Sequence, residues 1–161
     1  MSVAIRHAKG ADLDVIRTLF REYVNAPHGE ELFHRYLEQQ DFEMELARLP
    51  GVYASPLGAL LLAEHGDITI GCVAMKPLAP PDTCEMKRLY VRPEGRGLGA
   101  GHALVDAVIA AAREAGYRVM RLDCMPSMHD AQRLYRAKGF TEIAPYNDNP
   151  VAGSLYFERE L

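Results

Sequence analysis

The 161-residue sequence has little of what most specialised protein classes require, and each scarcity excludes one of them. Its apolar runs, such as residues 58–63, fall far short of the roughly 20 residues that a membrane-spanning helix needs. Lys and Arg form no stripe, and 18 basic against 22 acidic residues leave a net charge of -4, so nucleic acid is a poor default partner. There are three cysteines, Cys72, Cys84 and Cys124, an odd number without C-x-x-C spacing. Disulfides and zinc are both disfavoured, and buried thiols are expected. The six histidines show neither H-x-x-x-H nor H-E-x-x-H spacing, so no metal is expected. The first residues carry neither a basic apolar leader nor an Arg/Ser-rich transit pattern, and the expected location is cytoplasmic. No repeat or low-complexity tract divides the chain, which reads as one domain over residues 1–161.

What is present is an ordinary globular composition, 48% hydrophobic and 25% charged, with clear periodicities. Residues 3–7 read as a strand. Leu13, Ile16, Leu19, Phe20, Tyr23 and Val24 recur at helical spacing. A second helical region over residues 30–49 breaks near Asp41 and stops at Pro50-Gly51. Aliphatic and β-branched segments at 60–64, 68–78 and 83–91 predict an antiparallel meander, with the prolines between 77 and 81 in a hairpin loop. Ala103, Leu104, Ala107, Val108 and Ala111 form the stripe of a helix ending at Ala115-Gly116, and residues 118–123 read as a strand. Ser127-Met128-His129-Asp130 resembles a capping box opening a helix that closes at Lys138-Gly139, and strands at 140–144 and 154–160 complete the chain. The order β-α-α-β-β-β-α-β-α-β-β predicts an α/β (α+β) domain, a mixed and mostly antiparallel sheet flanked by helices.

Between a strand and a helix lies Arg96-Gly97-Leu98-Gly99-Ala100-Gly101. Small residues let backbone N–H groups approach an anion, and the helix start adds unsatisfied donors and a positive dipole end. The turn therefore reads as a pyrophosphate cradle, beside the blander reading of a glycine-rich helix start. A Walker loop is excluded because no Gly-Lys-Ser/Thr follows. A dinucleotide fingerprint survives in degenerate form as Gly95, Gly97 and Ala100 with Asp123. It fits poorly, because Glu85, Lys87 and Arg88 punctuate the strand ahead of it.

Arg96, Gly99 and Gly101, with the strand over 85–91 ahead of them, resemble the Arg/Gln-x-x-Gly-x-Gly/Ala signature of the GNAT superfamily of acetyl-CoA-dependent N-acetyltransferases. Ala131-Gln132-Arg133-Leu134-Tyr135-Arg136-Ala137-Lys138-Gly139-Phe140 resembles its Ala-x-x-Leu-Tyr-x-x-x-Gly-Phe motif. Many members carry Asn three residues before the motif alanine, where this chain has Met128. The resemblance implies that the amides of Arg96, Gly97, Leu98, Gly99, Ala100 and Gly101 hold the CoA pyrophosphate. It also implies that the backbone of Leu89, Tyr90 and Val91 pairs with the pantetheine arm.

Acyl transfer from a thioester to an amine needs an uncharged nucleophile, stabilisation of an oxyanion, and a proton for the departing thiolate. The resemblance makes Tyr135 the proton donor and Glu85 the base, and the amide of Leu89 or Tyr90 the oxyanion donor. The residues alone leave Tyr135 open as a core aromatic and Glu85 as a solvent-facing salt-bridge partner. By strict two-residue period Glu85, Lys87, Leu89 and Val91 share one face and Met86, Arg88 and Tyr90 the other, unless the strand is distorted. Cys124 has no evident His or Asp partner, which disfavours a covalent route. His28 and His34 lie in the helical region that in the family covers the acceptor, and His28 is a candidate contact. Tyr146 and Asp148, in the polar connection 145–153, are further candidates, with Asp148 able to attract a cationic or zwitterionic amine. The acceptor expected is a primary amine of a small molecule or peptide, attacked directly in a ternary complex, with a homodimer as a candidate assembly. A non-catalytic acyl-CoA sensor and a small dinucleotide-binding oxidoreductase are the competing readings.

Overall fold

The computed structural model describes residues 2–26, 37 and 41–161. Among the described residues seven strands form one sheet in the order β1-β2-β3-β4-β5-β7-β6. They are β1 (Val3–His7), β2 (Ala59–His65), β3 (Ile68–Leu78), β4 (Thr83–Val91), β5 (Val119–Cys124), β6 (Thr141–Ile143) and β7 (Leu155–Glu160). The described helices are α1 (Leu13–Asn25), α2 (Phe42–Arg48), α3 (Ala100–Glu114) and α4 (His129–Ala137). Every neighbouring pair is antiparallel except β4 with β5. Among the described residues no helix is long and apolar enough to cross a membrane.

Both faces of the sheet are covered, which is why β2 is apolar at successive positions rather than alternating. Ala59, Leu61 and Ala63 face α3, where Leu104, Val105 and Val108 complete one core. Leu60 and Leu62 face the other way, against Ile16, Leu19 and Phe20 of α1. Each such large aliphatic side chain removed from water contributes about 1.5–3 kcal/mol, so the two layers fix the sheet between them. The edge of Tyr53 meets the Phe20 ring at a centroid distance of 6.2 Å, tying the segment after α2 to α1. Cys72, Cys84 and Cys124 are buried free thiols, as their apolar surroundings predict.

Where residues are described, the sequence-based elements hold, with three corrections. The capping box at Ser127 does not form: α4 starts at His129 after Met128 without a side-chain cap, and Asp130 pairs with Arg133 instead. Pro77 belongs to β3, where it pairs with Cys84 of β4, so the hairpin loop is confined to residues 79–82. The third concerns β4. Cys72 pairs with Tyr90 and Ala74 with Lys87, so Val73 alone spans Arg88 and Leu89, a β-bulge in which Arg88 has φ 61°. The bulge reverses the alternation beyond it. Met86, Leu89 and Val91 therefore pack on the α3 side, whereas Tyr90 packs on the α1 side. Leu89 and Val91 thus do not share a face with Glu85, contrary to the strict period.

Asp41 has φ 52° and α2 begins immediately after it, while residues 30–36 and 38–40 of the expected second helical region lie outside the described residues. His28 and His34 lie outside the described residues.

Candidate active site

The parallel pair in the sheet is short. β4 and β5 are paired only from Thr83↔Val119 to Glu85↔Arg121. Beyond that point β5 continues along β7, while β4 bends away at its bulge. Residues 86–91 of β4 therefore have no β5 partner, and their outward backbone groups face a groove between two diverging strands. Its walls include Met86 and Leu89 from β4, Cys124 from β5, and Met128, Ala131 and Tyr135 from the α4 segment.

At the far end of β4, Arg92 donates to Glu22 Oε1 and Oε2 at 2.9 and 2.7 Å and to the Thr69 carbonyl at 2.9 Å. This clamp holds the strand end against α1 and fixes where the glycine turn begins. Residues 96–99 are exposed, and Gly97 and Gly99 both have φ +79° with open space where a side chain would project. The turn delivers the exposed amides of Gly97, Leu98 and Gly99 to the start of the 15-residue α3, whose first N–H groups have no intrahelical acceptor. One amide of the predicted cradle is already engaged. The Arg96 amide donates to the Pro93 carbonyl at 3.2 Å, leaving its guanidinium rather than its N–H available. Gly101 is the second residue of α3, so its amide is among those first N–H groups, and because a Cβ there would come within 3.2 Å of Leu134, its smallness also lets α4 approach α3.

Tyr135 is buried, packed edge-on against Phe140 with centroids 5.9 Å apart, and still lines the groove. Among the described residues its hydroxyl makes no hydrogen bond, and burial pushes its pKa well above the ordinary phenol value. It is a core aromatic and a protonated groove hydroxyl at once. Cys124 donates weakly to the carbonyls of Met125 and Met128, and burial beside Asp123 pushes its thiol up to about 12. No nucleophilic thiolate is available there.

On the opposite side of β4 lies a cleft of about 750 Å³, bounded by α2, the segment 50–53, the end of β3, and the loop after β6. Glu85 is at its floor, and its side chain is only 5% exposed. The Tyr146 hydroxyl donates to Glu85 Oε2 at 2.5 Å, while the ammonium groups of Lys76 and Lys87 stand 3.7 and 3.9 Å from Oε1. Glu85 is thus buried and charge-paired rather than a solvent-facing salt-bridge partner. Lys87 lines both groove and cleft. Desolvation and the neighbouring Arg88 lower its ammonium to about 8. Arg88, pointing the same way through the bulge, is 2% exposed, forks onto both Glu45 oxygens at 3.0 Å, and lies 5.4 Å from the Phe42 ring centre. That ion pair anchors α2 over β4.

The structure therefore brings together Tyr135, Leu89 and Lys87 in the groove and Glu85 with Tyr146 in the cleft. Asp148 is exposed and lines neither cavity, whereas Asn149, from the same loop, lines the groove and donates to Asp123 at 3.4 Å. Sequence reasoning missed Lys76, Lys87, Arg48 and the Glu45–Arg88 pair. Lys87 was recoverable, being two residues from Glu85 on one face. Lys76 followed from the hairpin register, in which it pairs with Glu85. Arg48 and Glu45 carried no local signal.

The dinucleotide reading fails on the sheet, because β4 runs antiparallel to β3 and Asp123 receives Asn147 and Asn149. Known proteins agree. The sequence profile of the Acetyltransferase (GNAT) family matches residues 13–140. An uncharacterised N-acetyltransferase of Schizosaccharomyces pombe is 40% identical over 152 residues, covering 93% of this chain and 89% of that protein. The IAA acetyltransferase of Azospirillum brasilense is 31% identical over 113 residues, 67% and 71% of the two chains. The fold matches Salmonella typhimurium yncA, solved with its cofactor acetyl-CoA, at a TM-score of 0.69 and 20% identity over 99% of this chain and 94% of that one. It matches the PaiA N-acetyltransferase of Thermoplasma acidophilum, solved with coenzyme A, at 0.74 and 20% identity over the whole of both chains. With its sheet opened between β4 and β5 and its glycine turn at the head of α3, this chain belongs to the GNAT acetyltransferase family and is an acyltransferase.

Proposed function

We propose that the protein transfers the acetyl group of acetyl-CoA to a primary amine by direct attack in a ternary complex. One observation carries the reading. A groove containing a protonated hydroxyl, Tyr135, and a cleft containing a buried carboxylate, Glu85, lie on the two sides of one strand and share Lys87. The residues fit the nucleotide thioester: the exposed amides of Gly97, Leu98 and Gly99 and the start of α3 suit a pyrophosphate. The unpaired edge of β4 at Leu89, Tyr90 and Val91 suits an extended amide-containing arm. Acetyl-CoA, when bound, supplies an activated acyl group.

The chain's own residues do the rest. Glu85 receives the proton that the attacking amine loses, directly or through water. As the new C–N bond forms, the amide of Leu89 or Tyr90 faces the developing oxyanion. As the C–S bond breaks, the Tyr135 hydroxyl gives its proton to the departing sulfur. Tyr146, bonded to Glu85, holds that carboxylate at the cleft floor and borders the acceptor.

The test is thiol release from acetyl-CoA against a panel of amines, amino acids and peptides, with thermal denaturation alongside. Acetyl-CoA should raise the melting temperature by mass action, and NAD(H) at equal concentration should not. A chain stabilised by acetyl-CoA that acetylates no amine would be an acyl-CoA-binding module instead.

A further inference from the structure

The cleft above Glu85 is larger than a bare amine needs, and part of its wall is apolar. Five large apolar side chains stand exposed among the described residues, Met44, Val52, Leu57, Ile68 and Leu98. Scattered singly, such side chains need no explanation, but two of the five, Met44 at 46% and Val52 at 58%, line this one cleft. Pro50 and, at the end of β3, Leu78 extend the same lining. Apolar walls around a few convergent polar groups are the ordinary form of a small-molecule site.

The charges of the described lining give no competing preference. Both Glu45 oxygens are engaged by Arg88, and Lys87 is buried at the junction with the groove, its side chain 8% exposed. Arg48 and Lys76 then stand against Asp41 and Glu85, two charges of each sign. An acceptor that brought a second charge, of either sign, would place it beside apolar side chains with no excess of opposite charge to receive it. An acceptor whose remainder is apolar avoids that cost and gains from the surface it covers.

We propose that the acceptor is a primary amine carried on an uncharged apolar body of several carbons, its amine at Glu85 and its body against Met44, Val52 and Leu78. This rests on the N-acetyltransferase reading above and narrows it, because the cleft then selects by the apolar surface attached to the amine.

The experiment measures thiol release from acetyl-CoA by the full chain with ethylamine, butylamine and hexylamine. Two analogues close to hexylamine in length, 1,6-diaminohexane and 6-aminohexanoate, end in a charge of one sign or the other. In an open cleft kcat/KM should climb roughly threefold per methylene removed from water, so hexylamine should exceed ethylamine by about 80-fold. Both charged analogues should fall about tenfold below hexylamine, because the two carbons nearest the second charge stay hydrated. Met44→Ser and Val52→Ser should flatten the dependence on chain length. Ile68→Ser removes an equally exposed apolar side chain outside the cleft and should leave that dependence as it is. A purely structural role for Met44 or Val52 would lower every amine alike. No dependence on chain length in the wild type, a dependence equally steep in both cleft variants, or a charged analogue above hexylamine would overturn the apolar assignment and leave N-acetylation standing. So would thiol release with polar amines or peptides and none with this series. Absence of thiol release with every amine and peptide, by contrast, would overturn the N-acetyltransferase reading itself.

Discussion

The groove and the cleft lie on opposite sides of β4 and are built from different material. The donor side proposed above relies on backbone: the unpaired strand edge along the groove, a glycine turn at φ +79° beyond the end of β4 and the first N–H groups of a helix. The cleft is made of side chains from four separate stretches of chain, residues 41–53, 76–78, 85–87 and 146–147. A backbone site needs particular residues only where geometry demands them, so its signature is short and local. A side-chain site is assembled by the fold, and its residues need no mutual spacing in sequence. On the proposed function the difference would place specificity in the cleft: the groove would serve one shared acyl donor, and the cleft would be free to differ in its acceptor.

Tyr135 is where the two descriptions are most sharply separated, and it carries the largest expected effect. Tyr135→Phe removes one oxygen that makes no hydrogen bond among the described residues, so stability and acetyl-CoA affinity should persist. Turnover should fall by roughly 10²–10⁴, the usual scale for a positioned acid or base. Single-turnover thiol release alongside a melting curve with acetyl-CoA checks both halves. Undiminished turnover would return Tyr135 to packing against Phe140 and Phe157 alone.

Next in size is the pair beneath the cleft. Glu45→Ala would remove the forked carboxylate from the buried Arg88 guanidinium, and breaking a buried pair by removing one partner costs about 3–5 kcal/mol. Chemical denaturation should show that loss. The folded fraction should still bind acetyl-CoA, because the glycine turn and α3 do not depend on α2. If acetyl-CoA binding and stability fell together at concentrations where the variant stays folded, groove and cleft would have to be one cooperative unit.

How much of this was legible follows the same division. The glycine turn and the Tyr135 motif were readable because each is a contiguous run whose chemistry depends on neighbours in sequence. The element order was readable because α1 and α3 each carry one apolar stripe and β2 is apolar on both faces. The bulge at Arg88 was not, since a non-glycine residue at φ 61° leaves no mark in the residue pattern. Its consequence was therefore missed: Leu89 and Val91 face away from Glu85, and Lys87 and Arg88 both point to the α2 side.

A smaller effect is expected from Lys87, through pH. Burial and Arg88 lower its ammonium from 10.5 to about 8, while Glu85 and Asp123 oppose the shift and Lys76 adds to it. Below about 8 the folded and unfolded chains both hold the proton, and the folded state bears the full burial penalty. Between about 8 and 10.5 the folded chain releases a proton that the unfolded chain keeps, so this group's contribution to stability rises with pH. The buried phenols of Tyr53 and Tyr135 and the thiols of Cys72 and Cys124 are all pushed up, and they act in the opposite sense in alkaline solution. The informative quantity is therefore the stability of the wild type minus that of Lys87→Met. It should rise across that window. A flat difference would mean that Lys87 is hydrated, and that groove and cleft do not share a dry junction.

The smallest effect separates two residues of one loop. Tyr146 and Asp148 looked equivalent in sequence, two polar positions in a turn-prone connection, with Asp148 the stronger lure for a cationic amine. The fold divides them. Tyr146 lies inside the cleft on Glu85, and its ring packs at 5.3 Å on Tyr156, which is in turn held by Asn147. Asp148 is exposed at the outer side of the same turn, which Asn147 and Asn149 close by accepting the amides of Asn149 and Val151. Asp148→Asn keeps the size of the side chain and removes a charge that lines neither the groove nor the cleft. KM for the amine should accordingly change by less than about threefold, while Tyr146→Phe, which frees one oxygen of Glu85, should change the acceptor kinetics more. Steady-state kinetics of the two variants at saturating acetyl-CoA decide the order. A larger rise in the amine KM for Asp148→Asn would move the acceptor's charge contact to the loop tip and extend the cleft beyond the walls described.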